Sequence, residues 1–219
     1  HGPVFTLGHS VGGHLPGFAD NALLPAAHAF VCTSTGYWGA HEPSYRPNAL
    51  FFWLAYGPAC LALKGHIPSG GLWSGTALPR GVFEQWRDWA FKPRYFGDFL
   101  HELGPHAFDR ITAPITDWTF ADDTLASQRA AEDLMALYTA ADKRLLRLAP
   151  AEVGAESIGH FGAFKQAAAG FWPRPFSWFD EVAAGLTPGG PASDAFGSSR
   201  SPLSPRWGCS PENPIPIRR

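Results

Sequence analysis

Two hydrophobic periods alternate along this chain. Short apolar, β-prone runs at Pro3–Leu7, His28–Ser34, Ala113–Ala121 and Lys143–Ala149 predict four strands. Helical spacing takes over between and after them. The run TLASQRAAEDLMALYTAA carries apolar residues on one helical face. A second amphipathic helix is expected from about Arg80 to Phe91, ended by Pro93. A helical stretch is also expected straight after GHSVGG, and FGAFKQAAAGF and PFSWFDEVAAGL predict closing helices. Strands that alternate with helices predict an α/β fold with a parallel sheet.

Residues 37–100 break this rhythm. They are dense in Trp, Phe and Tyr and punctuated by Pro and Gly. The apolar run Ala49–Leu63 is too short to span a bilayer, which needs ~20 apolar residues. Gly57-Pro58 interrupts it, so it predicts a pair of buried or lid helices rather than a transmembrane segment. Residues 187–219 are rich in Pro, Gly and Ser and predict a disordered tail after an ordered domain over residues 1–186.

Composition narrows the function. The 219 residues are 45% hydrophobic and 16% charged, with a formal net charge of −2. That balance gives no basic footprint and argues against a nucleic-acid partner. Three scattered cysteines, Cys32, Cys60 and Cys209, form neither a CxxC pair nor a disulfide framework, which suits a cytoplasmic setting. His101 and His106 in HELGPH miss the zinc-helix spacing by one, and Gly104-Pro105 breaks the helix they would need. No metal and no cofactor are therefore expected.

The chemistry lies at the strand ends. Gly8-His9-Ser10-Val11-Gly12 matches G-x-S-x-G between a strand and an expected helix, which is the setting of a nucleophile elbow. In so sharp a turn the flanking positions are expected to require Gly, and the Ser10 hydroxyl projects from it. The Val11 amide is then one oxyanion donor. A serine nucleophile needs a base, and the base needs a carboxylate to orient it. Asp122 and Asp123 follow the third predicted strand. His160 lies in a Gly-containing loop after the fourth. The order Ser, Asp, His fits, with one aspartate as the acid and the other as a helix cap.

Together, LGHSVGGHLPGF, STGYW, LPRGVFEQWRDWAFKPRYFGD, FADDTLAS and IGHFGAF resemble a group of bacterial predicted α/β-hydrolases. These are related to the serine aminopeptidase and monoglyceride-lipase-like branch, and the likeness spans roughly residues 2–185. It implies Ser10 as nucleophile, His160 as base and Asp123 rather than Asp122 as acid, through the pattern Asp123-Thr124-Leu125-Ala126. It also implies that the aromatic segment, about 37–100, is a cap insert. Trp53 and Trp86 are then candidates for an apolar wall beside an acyl or aromatic group. The implied activity is hydrolysis of small-molecule carboxylic esters, with amides less favoured and an inactive remnant as the alternative. Members of the group carry further strands and a second oxyanion donor before the elbow. The expectation is therefore a chain that begins inside the fold, as the C-terminal part of a hydrolase.

Overall fold

A computed structural model describes residues 2–73 and 75–186; the tail expected at 187–219 lies outside the described residues. Strands β1 (Phe5–His9) and β2 (Ala27–Val31) open the chain, joined by two 3-10 turns at Ser10–Gly13 and Pro16–Phe18. Helix α1 (Arg46–Phe51) runs through a π-helical turn, Phe52–Tyr56, into α2 (Gly57–Lys64). A small hairpin, β3 (His66–Ile67) and β4 (Leu78–Pro79), leads into α3 (Arg80–Ala90) and α4 (Leu100–Leu103). Strand β5 (Ile115–Phe120), α5 (Gln128–Met135), β6 (Lys143–Leu148) and α6 (Pro173–Leu186) complete the order.

The sheet runs β1-β2-β5-β6 and every pairing is parallel. Both inner strands are buried along their whole length. They are apolar, β-branched or aromatic at most positions, which suits a strand covered on both faces. Alternation assigns the two faces. Phe30 and Ile115 join a core with Leu134, Tyr138 and the aromatic insert. Ala29, Val31, Trp118 and Phe120 join a second core with Phe171, against which Trp178 and Phe179 of α6 pack. The Phe179 ring stacks on Phe5, with centroids 4.7 Å apart.

The four expected strands all form, each within three residues of its predicted bounds. Three helical expectations are corrected. GHSVGG is followed by 3-10 turns rather than an α-helix, because Pro16 cannot donate to the carbonyl of Gly12. FGAFKQAAAGF likewise forms 3-10 turns. Gly57-Pro58 does not split the apolar run into two helices. The wider π turn ahead of Pro58 absorbs the lost donor, so the helix continues. Gly57 is there for packing, since a Cβ would lie 2.1 Å from the Phe83 ring of α3. No described helix is long and apolar enough to cross a membrane.

One buried group makes this sheet sensitive to pH. Asp117, in the middle of β5, is fully buried. Its carboxyl meets the Thr33 hydroxyl at 2.7 Å and the Thr33 amide at 3.5 Å. Burial pushes its pKa up to about 7, against the pull of the two Thr33 bonds. In the unfolded chain the same group ionises near 3.8. The native state therefore keeps a proton that the unfolded state has lost, and stability falls as pH rises from about 4 to about 7. Asn at this position removes that slope. Urea unfolding at pH 5 and pH 7.5 should show Asp117→Asn gaining on the parent at the higher pH by on the order of a few kcal/mol. Identical pH dependence in the two proteins would contradict this.

Candidate active site

The site begins where β1 ends. Ser10 has φ of +53°, an unusual conformation for a residue with a Cβ. Such strain persists where the surroundings fix it. The turn is tight on one side only. A Cβ on Gly8 would lie 2.6 Å from the Gly12 carbonyl oxygen, and one on Gly13 would lie 2.6 Å from the Thr33 side chain. A Cβ on Gly12 would meet nothing within 4 Å. The expectation that both motif glycines are sterically required is therefore corrected: the close approaches are at Gly8 and Gly13.

Asp123 enters from the end of β5. Its Oδ1 accepts from the amides of Leu125 and Ala126, each at 2.9 Å. Its Oδ2 lies 2.8 Å from His160 Nδ1. Burial alone would raise this pKa. The bond from His160, the His160 charge and the two amides outweigh burial and hold the carboxyl below its usual range. The far nitrogen of the ring, Nε2, lies 2.8 Å from Ser10 Oγ. The structure thus brings Ser10, Asp123 and His160 into one chain of hydrogen bonds. With Nδ1 donating to the carboxylate, Nε2 is free to accept the serine proton.

The second aspartate has a different task from the one expected. The N-cap of α5 is Ser127, whose side chain accepts from the Ala130 amide. Asp122 instead reaches the loop that carries His160. Its Oδ2 accepts from Ser157 Oγ at 2.9 Å and from the Ile158 amide at 2.8 Å. Partial burial pushes its pKa up, but the Ile158, Gly159 and Ser157 bonds outweigh that and lower it. Neighbours fasten the acid loop too. His41 Nδ1 bonds the Leu125 carbonyl at 2.9 Å. Arg147 donates to the carbonyls of Ala126 and Ala121 and pairs with Glu42 at 3.3 Å.

His9 was not singled out from sequence. Its Nε2 lies 2.7 Å from the His160 carbonyl, and its ring lies against Phe161 and Phe164. Its place inside the motif was the only available signal. Val11, next to Ser10, is exposed, as are Phe161 and Phe164. Trp53 and Trp86 are not brought into this group. Trp53 is buried against Phe52 and Phe83, and Trp86 meets Trp73, all within the insert.

Cys32, Asp123 and His160 place metal-type donor atoms within 4.8 Å of one another, alone among the described residues. The thiol is buried, and burial with the nearby Asp123 charge raises its pKa strongly. A protonated thiol and a carboxylate whose oxygens are already bonded fit a proton relay better than a metal centre. His101 and His106 are not brought together; each faces a neighbouring carboxylate, Glu102 and Asp109.

The glycine geometry gives a direct test. Gly8→Ala forces backbone apart and should destabilise by about 1–3 kcal/mol. Gly12→Ala should leave the melting temperature within a degree or two. Equal losses from the two substitutions would contradict the turn as described.

No family model matches the chain, and no curated protein sequence matches it. Solved structures do. A soluble variant of monoglyceride lipase from Saccharomyces cerevisiae, in complex with a substrate analog, aligns with a TM-score of 0.51 at 13% identity. The alignment covers 82% of this chain and 62% of that one. A monoacylglycerol lipase from Paleococcus ferrophilus aligns at a TM-score of 0.45 and 11% identity, covering 83% of this chain and 69% of that one. The chain thus spans less than two thirds of the yeast protein's length, and likeness at this identity speaks to architecture alone. With its parallel sheet, its flanking helices and this match, the chain carries part of the α/β-hydrolase fold.

Proposed function

We propose that this chain carries the catalytic centre of a serine hydrolase acting on carboxylic esters. The observation that carries the reading is the unbroken path from Ser10 Oγ through His160 to Asp123, with 2.8 Å at each step. His160 Nε2 takes the Ser10 proton as Oγ attacks the ester carbonyl. The Val11 amide stabilises the oxyanion that forms. Asp123, held ionised by its amide bonds, steadies the imidazolium. His160 then returns the proton to the departing alcohol, leaving an acyl group on Ser10. Water, activated by the same imidazole, releases the acid and restores the serine.

The surroundings suit a small apolar acyl group. Val11, next to Ser10, Phe161, against the His160 ring, and Phe164, against the His9 ring, present exposed side chains. Trp53 is already spent on packing the insert, so these three are the better candidates for substrate contact. Esters are preferred over amides because one identified oxyanion donor and an alcohol leaving group demand less of the site.

Hydrolysis of p-nitrophenyl butyrate separates the roles. Ser10→Ala and His160→Ala should abolish turnover. Asp123→Asn should lower it about 10⁴-fold through the wrong imidazole tautomer. Asp122→Asn keeps an acceptor oxygen for Ser157 and Ile158 and should retain most of the activity. If Asp122→Asn proved the more damaging of the two, Asp123 would not be the acid.

A further inference from the structure

The motif G-x-S-x-G leaves its second position open, and here that position is His9. His9 is the last residue of β1 and half-buried. It reaches across 151 residues of sequence to the backbone of His160, with Nε2 2.7 Å from the carbonyl oxygen. A carbonyl only accepts, so Nε2 must carry the hydrogen. The two imidazoles lie 5.2 Å apart, centroid to centroid, and the His9 ring also meets Phe161 and Phe164.

We propose that His9 is a positioning residue for His160, tying the backbone of the base to the strand that presents the nucleophile. The argument rests on how the His160 loop is held. Asp122 anchors Ser157 and Ile158, on the N-terminal side of the base. Gly159, whose amide also faces Asp122, follows with φ of +58° and turns the chain away from that anchor. The next backbone anchor after that turn is the His160 carbonyl itself, and His9 is its partner. Loss of this bond leaves the imidazole oriented by its two ring contacts, Asp123 and Ser10, with its own backbone untied.

The bond also couples two elements that must keep register. Ser10 is displayed by β1, whereas His160 sits on a loop after β6. Tethering that loop to the residue just before Ser10 means that a shift of the elbow carries the base with it. Burial lowers the His9 pKa, and this outweighs the bond to the His160 carbonyl, which raises it.

This inference rests on the hydrolase reading for its kinetic consequence but not for its geometry, and the test treats the two separately. Two substitutions divide the donor from the ring. His9→Phe keeps an aromatic ring against Phe161 and Phe164 and removes the donor. His9→Gln removes the ring and offers an amide N–H near the place of Nε2. With p-nitrophenyl butyrate, His9→Phe should lower kcat ~10- to 100-fold with KM little changed, the size expected for a displaced catalytic group. His9→Gln should recover most of that loss. Imidazole ¹⁵N–¹H spectra of the full chain provide a reading that needs no activity. His9 should be the Nε2–H tautomer, and His160 should give one sharp ring spectrum that broadens or splits in His9→Phe. The proposal is overturned if His9 is the Nδ1–H tautomer, or if His9→Phe leaves the His160 spectrum as in the parent. A parent chain with no esterase activity but with these spectral changes would remove the hydrolase reading and keep the tether.

Discussion

Parallel pairing of β1, β2 and β5 is the constraint on which the site depends. It brings the C-terminal ends of these strands to one edge of the sheet, with His9 opposite Val31 and Val31 opposite Trp118. Ser10 leaves from the first of these ends and Asp123 from the third. Between them, β2 is followed by Cys32, at φ of +52°, and then Thr33, which bonds Asp117 and closes against Gly13. His160 is delivered from beyond β6 by a loop held on Asp122 and His9. Residues more than a hundred positions apart thus meet within hydrogen-bond distance because the strands carry them there.

Two buried carboxyls show how local partners decide charge. Asp123 and Asp117 are both fully buried. Asp123 has two backbone amides and an imidazole, which favour the ionised form and outweigh burial. Asp117 has only Thr33, and burial prevails. Below about pH 7, a protonated Asp117 also spares Asp123 a second negative charge nearby. The division matches the demands of a proton relay, in which only the carboxylate facing the base must be charged.

Much of this was legible in the sequence, for identifiable reasons. The strands showed as short apolar runs, Ser10 and the Asp122-Asp123 pair stood at strand ends and His160 in a loop after the fourth strand, while the choice of Asp123 over Asp122 came from the resemblance. What was not legible depended on tertiary contact. Asp122 looked like a helix cap, because only the fold reveals that Ser157 and Ile158 come to it and that Ser127 caps α5. Gly57-Pro58 looked like a break because local rules price a proline without the π turn that accommodates it. Gly12 looked sterically required because the motif is symmetric, whereas the turn is not. Arg147 gave no signal at all: its part in holding the acid loop comes from lying beside Thr119 in the sheet.

The central claim is that Ser10 is a nucleophile activated by His160. It is tested most directly by exposing the full chain to a fluorophosphonate and mapping the adduct by mass spectrometry. The account predicts a single phosphonyl group on the peptide carrying Ser10, absent from Ser10→Ala and lost in His160→Ala. A chain that remains unmodified, or that reacts equally well without His160, would contradict it.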